Sequence, residues 1–144
     1  MLWDTHMHTN FSTDGRAEPE AMAEAAIKKG LAGICITDHL DYDYPNEPDS
    51  FQLDIPAYLP KMHELQQKYA DRLPIRIGVE LGLQPQVAKR CNRLMEQYSF
   101  DFVIGSSHVV HGIDPYYREY YEGKTEEEAY REYLPLAEVY LCSV

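Results

Sequence analysis

Cysteine is scarce in this sequence, and basic residues are outnumbered. The three cysteines, Cys35, Cys91 and Cys142, lie far apart with no Cys-x-x-Cys pair. That excludes a disulfide framework and a thiolate zinc site, and points to reduced thiols in a cytoplasmic compartment. The longest clear apolar run, Leu31 to Ile36, is far too short to cross a bilayer. The opening Met-Leu-Trp-Asp lacks the basic and apolar stretches of a secretory signal. Thirteen Lys and Arg face twenty-four Asp and Glu, a formal net charge of −11, so the chain repels nucleic acid phosphates and anionic membranes. A phosphorylated small molecule stays open as a ligand where bound cations reverse the local field. Linkers, internal repeats and low-complexity tracts are missing too. With 144 residues, 44% of them hydrophobic, the expectation is one soluble domain, residues 1–144, whose core needs no disulfides.

Short apolar runs alternate with segments of helical period, four times over. Leu2 to His8 reads as a strand and Glu18 to Lys29 as a helix, with Pro19 in its first turn, Met22, Ala25 and Ala26 on one face, and Gly30 as its stop. Leu31 to Thr37 is the second strand, apolar enough to be buried on both sides. Asp41 to Asp54 is an acidic, aromatic loop. Ile55, Tyr58, Leu59, Met62, Leu65 and Tyr69 recur at helical spacing, and Pro60 predicts a kink or a helix that starts just before it. Ile75 to Leu81 is the third strand. Val87, Ala88, Cys91, Leu94, Met95 and Tyr98 make the clearest helical stripe. Phe102 to His108 is the fourth strand, and Thr125 to Leu141 a last helix interrupted at Pro135. Such alternation implies a parallel sheet with right-handed crossovers. A closed (β/α) barrel takes roughly 250 residues, so the chain is either a small open α/β sheet or about half of a barrel.

Chemistry concentrates at the strand ends. Side chains alternate along a strand, so Asp4, His6 and His8 share a face and the two imidazoles can converge on one ion. Alone, that pair reads equally well as two solvent-facing histidines. The second strand, however, ends in Thr37-Asp38-His39, the third in Gly78-Val79-Glu80, and the fourth in Ser106-Ser107-His108, while Asp14 sits in the first loop. Parallel α/β proteins build their sites at these C-terminal strand ends. Histidines and carboxylates without cysteine suit catalytic Zn, Mn or Fe, with Glu80 as a natural bridge between cations. Asp4, His6, His8, Gly78 and Glu80 then face a wet interior, and Trp3, Met7, Ile77 and Val79 the helices.

Asp4-Thr-His6-Met-His8-Thr9, continuing through Phe11-Ser12-Thr13-Asp14-Gly15, resembles the first motif of the PHP (polymerase and histidinol phosphatase) superfamily. Thr37-Asp38-His39, the Glu80 segment and Gly105-Ser-Ser-His108 resemble its next signatures, in order. Ser107 to Gly112, the Asp41-to-Pro45 loop and Gly82-Leu83-Gln84-Pro85 are most similar to PHP-type histidinol-phosphatases. The resemblance implies about four βα units of a distorted (β/α)7 TIM-like barrel, with up to three divalent metal ions and phosphoester hydrolysis. By motif position His6, His8 and Glu80 hold the first metal, Glu80 and His108 the second, and Asp14 and His39 the third. A metal-bridging hydroxide then attacks phosphorus, with Glu80 and His108 in the catalytic set and Asp38 orienting a ligand. The implied reaction is L-histidinol phosphate plus water to L-histidinol and phosphate, in histidine biosynthesis.

The family's later histidine, its Asp-x-His motif and its later arginines have no counterpart here, and the tail from Leu134 to Val144 does not resemble the family's continuation. The expectation is a truncated or frameshifted reading of a longer gene. A homo-oligomer would close exposed strand edges but supply only second copies of the same ligands. Two other functions stay open: a PHP phosphoesterase acting on a nucleotide, and a non-catalytic metal-binding remnant. Among the remaining residues, His63 reads as plain surface and Cys91 as core. His111 reads as either a substrate contact or loop filler. The Tyr116-Tyr117-Arg118 group reads either as the rim of a pocket, with Arg118 as a phosphate contact, or more simply as exposed packing, and Glu126 to Glu128 as a solvated first helical turn.

Overall fold

A computed structural model describes residues 2–47 and 49–141, and of residues 135–141 the backbone only. Cys142 therefore lies outside the described residues, as does the end of the tail. The order of elements is β1 (Trp3–Asp4), α1 (Pro19–Lys28), β2 (Gly33–Ile36), β3 (His39–Leu40), α2 (Ile55–Tyr69), β4 (Ile75–Gly82), α3 (Ala88–Gln97), β5 (Phe102–Ser106) and α4 (Glu126–Leu141), with 3-10 turns at Pro85–Val87 and Arg118–Tyr121. The α/β class expected from the alternation is the one observed. The strands form one five-stranded sheet in the order β1-β2-β4-β3, with β5 also paired to β4. β1 runs parallel to β2 with Trp3 opposite Gly33, and β2 parallel to β4 with Ile34 opposite Ile75.

Two compact units divide the chain: Met1–Leu40, Phe51–Glu80 and Phe100–Ile104 in the first, Asp41–Ser50, Leu81–Ser99 and Gly105–Val144 in the second. In the first, all four residues of β2 are buried, as an apolar run between two layers requires. α2 lays Ile55, Tyr58, Met62, Leu65 and Tyr69 into the core. The Tyr58 hydroxyl reaches two strand carbonyls, Ile36 O at 3.1 Å and Gly78 O at 2.9 Å. Lys68–Glu20 joins the exposed edges of α1 and α2, and Arg72, in the turn after α2, pairs with Glu24 of α1 through two N–H donors. In the second unit Val110, Tyr120 and Ala129 form a small core with Tyr133 packed on it. Thr125 and Glu128 exchange hydrogen bonds at the start of α4, a reciprocal cap that closes its first turn.

Several expectations are corrected. Strand pairing covers only Trp3–Asp4 of the expected Leu2-to-His8 strand. Beyond it the His6 N–H turns to the Asp4 carboxylate, and only Thr37 N–H to Met7 O continues the ladder. Trp3 is 38% exposed rather than packed under helices, because β1 is an edge; its indole lies across Gly33, where a Cβ would come within 2.5 Å of the ring. α1 buries Ala23 and Ala26, not Met22 and Ala25. α2 starts at Ile55, capped by the Asp54 carboxylate on Ala57 N–H, and runs through Pro60. α4 likewise runs through Pro135. The fourth strand stops at Ser106, which leaves His108 in the following loop. The acidic, aromatic loop buries Asp41, Tyr42, Tyr44 and Leu53.

Candidate metal centre

The segment after β1, together with β3 and β4, delivers ligand-type side chains to one place in the first unit. His6 Nε2 and His8 Nε2 lie 2.7 and 2.8 Å from the same oxygen, Oε2 of Glu80. The two imidazoles thus meet at one carboxylate oxygen, just past the end of the short strand that leads to them. The other nitrogen of His8, Nδ1, lies 3.0 Å from Asp14 Oδ2. His39 Nε2 completes the group at 3.6 Å from both Asp14 Oδ2 and Glu80 Oε2. The result is two overlapping trios, His6–His8–Glu80 and His8–Asp14–His39, within each of which the ligand atoms lie inside 4.8 Å of one another. His8 belongs to both.

Burial grades across the site. Glu80 is nearly inaccessible, His8 and His39 are partly covered, and His6 and Asp14 face solvent. A buried carboxylate needs compensation. The hydrogen bond to Glu80 raises His8 to about 9, against the opposing effect of burial and with further help from Asp14. A proton on His8 answers the two carboxylates, the same electrostatic demand that a cation meets. Three imidazoles and two carboxylates, with no thiol, fit a divalent ion of the zinc type.

Asp38 holds the cluster from behind. Fully buried, it accepts from Thr9 N–H at 2.6 Å, from Thr9 Oγ1 at 2.8 Å and from Ser12 Oγ at 2.9 Å. Ser12 Oγ in turn accepts from His39 N–H at 2.7 Å. Burial pushes the Asp38 carboxyl up, and the Thr9 and Ser12 donors pull it back. The clamp joins the residue after His8, the loop before Asp14 and the backbone of His39, so it positions three of the candidate ligands at once.

His108, the remaining sequence-predicted ligand, belongs to the second unit. There its Nδ1 lies 2.6 Å from Oδ2 of buried Asp41. The sequence reading left Asp41 in a loop; an acid directly after the Asp38-His39 strand end was the available signal. Of the other residues weighed, His63, His111, Tyr116, Tyr117 and Arg118 are exposed, and Cys91 is buried in the core.

A parallel α/β sheet with a thiol-free cluster of imidazoles and carboxylates at its strand ends defines an α/β protein built to hold divalent metal. The PHP domain matches residues 4–143, and the chain belongs to that family. A histidinol-phosphatase of Lactococcus lactis is 37% identical over 132 residues, which cover 91% of this chain and 48% of that protein. A probable histidinol-phosphatase of Deinococcus radiodurans is 34% identical, with 95% and 55% covered. The crystal structure of the Lactococcus lactis histidinol phosphate phosphatase, complexed with Zn, L-histidinol and phosphate, superposes with a TM-score of 0.88 over 94% of this chain and 51% of that one. The chain spans about half the length of the curated relatives it matches.

Proposed function

We propose that this chain carries the metal-binding part of a histidinol-phosphatase, hydrolysing L-histidinol phosphate to L-histidinol and phosphate, and that residues 1–144 act as one PHP domain. The observation that carries the reading is the pair of trios sharing His8. The relatives' names and the zinc, histidinol and phosphate in the Lactococcus structure support the substrate. His6, His8 and Glu80 would hold one cation and Asp14 with His39 another. His108 is proposed for a further one, with Glu80, on the strength of its motif, and Asp41 fixes its ring tautomer by accepting a hydrogen bond from Nδ1–H. Zinc, manganese or iron there would supply charge against the phosphoryl oxygens and a water acidic enough to ionise near neutral pH. Glu80 contributes a buried acceptor that keeps two imidazoles aimed at one point. Asp38 keeps the His8–Asp14 loop from swinging as substrate enters. A small phosphorylated substrate, a cytoplasmic setting and no nucleic acid partner complete the reading; self-association would leave the ligand set unchanged.

Phosphate release from L-histidinol phosphate by the 144-residue chain, with added zinc or manganese, tests this. Release that His8→Ala abolishes upholds it. Zinc uptake without release favours the second reading, a non-catalytic metal-binding portion, which the half-length match to the relatives supports. Release from nucleoside monophosphates in preference to L-histidinol phosphate would move the assignment to another PHP phosphoesterase.

A further inference from the structure

Arg16 lines the same open cavity as His6, His8 and Asp14, and the cluster of ligands makes no use of it. The loop that carries it is closed on itself. Asn10 N–H donates to Ala17 O at 2.9 Å, Ser12 N–H to Thr9 O at 3.1 Å, and Gly15 N–H to Ser12 O at 3.1 Å. At position 15 a Cβ would fall 1.8 Å from the Thr9 carbonyl oxygen, so only glycine lets the loop close, with Asp14 and Arg16 on either side of the turn. The Asn10 amide ties the loop to Glu18 at 2.6 Å, and Asp38 clamps its start. The backbone beneath Arg16 is thus fixed while its side chain is exposed.

The guanidinium has no hydrogen bond or ion pair with any described residue. Lys68, Arg72, Arg90 and Arg131 face carboxylates; what sets Arg16 apart is its place on the wall of the cavity that His6, His8 and Asp14 share. Its five N–H donors, in a planar fork matched to phosphate oxygens, are uncommitted beside a candidate metal site. We propose that Arg16 is the phosphate-binding side chain of this site, taking the non-bridging oxygens of the substrate's phosphate through paired N–H donors. The proposal rests on the phosphatase reading and adds to it the residue that recognises the anion. Arg118, the arginine that the sequence offers as a phosphate contact, lies in the second unit, whereas Arg16 lines the cavity of His6, His8 and Asp14.

Inorganic phosphate titrated calorimetrically into the zinc-loaded chain, at two salt concentrations, tests it. Arg16→Gln is expected to weaken phosphate binding at least tenfold and to flatten its salt dependence. Arg16→Lys should fall between, because a point charge replaces a bidentate fork. Zinc affinity should stay within about twofold in both, since the guanidinium is no ligand. Phosphate bound equally well by Arg16→Gln overturns the proposal. Zinc uptake without phosphate binding in the parent chain overturns it too while leaving the metal centre standing. Failure of the parent to take up zinc overturns the phosphatase reading, and the role of Arg16 with it.

Discussion

His8 commits both ring nitrogens to carboxylates, Nε2 to Glu80 and Nδ1 to Asp14, so its removal disconnects two trios at once. His8→Ala should lower zinc affinity by about a hundredfold or more, and His6→Ala by about tenfold, as read by competition with a chromophoric chelator. Equal losses would mean that the trios act separately. Asp38 offers the complementary case, a carboxylate that touches no ion but accepts three hydrogen bonds in a buried place. In Asp38→Asn an amide NH2 must meet donors on one side. The expected cost is about 1–3 kcal/mol in urea unfolding without metal, along with weaker zinc binding. That His6, His8, His39 and Glu80 gather at one place was legible from their positions at or just past strand ends, and Asp14 from the motif that carries it. Asp41 and Arg16 were not. An acid or an arginine in a loop carries no periodicity, and only closure of the loop shows what it faces.

Among the elements, those with strong apolar period were legible and the short ones were not. β2, α2 and α3 fall close to their predicted spans, since burial on a fixed face leaves a clear stripe. β1 is cut to two residues and β3 is unannounced, because edge pairing depends on partners elsewhere in the chain. Prolines 60 and 135 sit inside helices, where the surrounding helical turns outweigh the lost bonds. Two predictions belong here. Tyr58→Phe removes the hydroxyl that α2 places between the carbonyls of β2 and β4, and should cost about 1–2 kcal/mol with no change in zinc affinity. Cys35, in the middle of β2, is pushed up to about 11 chiefly by burial, with Asp101 adding. Unfolding frees a thiol with an ordinary value near 9, so between these limits the unfolded chain binds fewer protons and stability falls as pH rises. Urea midpoints at pH 8 and 10 should diverge more for the parent than for Cys35→Ala, in which Cys91, raised in the same direction by burial, keeps part of the dependence.

Taken whole, the molecule places five ligand-type residues within one of its compact units and carries a surplus of negative charge. Bound cations relieve both, so metal should act on stability as well as on chemistry. Zinc at about a hundred times its dissociation constant adds roughly 2.7 kcal/mol to a folded state that alone binds it. For a chain of this length that corresponds to a rise of about 5–10 °C in Tm, checked by calorimetry with zinc and with EDTA. No rise in Tm would argue that the cluster binds metal no better folded than unfolded. The fold class was legible from alternation alone, and the family from four motifs in order. The division into two units was not, because it depends on which loops pack on which helices.

The indole of Trp3 lying across Gly33 has a practical consequence. It is the sole tryptophan of the chain, and it sits at the start of the segment that leads to His6 and His8. Tyrosines outnumber it twelve to one, yet excitation at the red edge isolates its emission. The protein therefore carries a built-in optical gauge at the seam between its outermost strand and the next. Spectral changes there register the detachment of that strand separately from the collapse of the rest, in unlabelled material and without altering a residue.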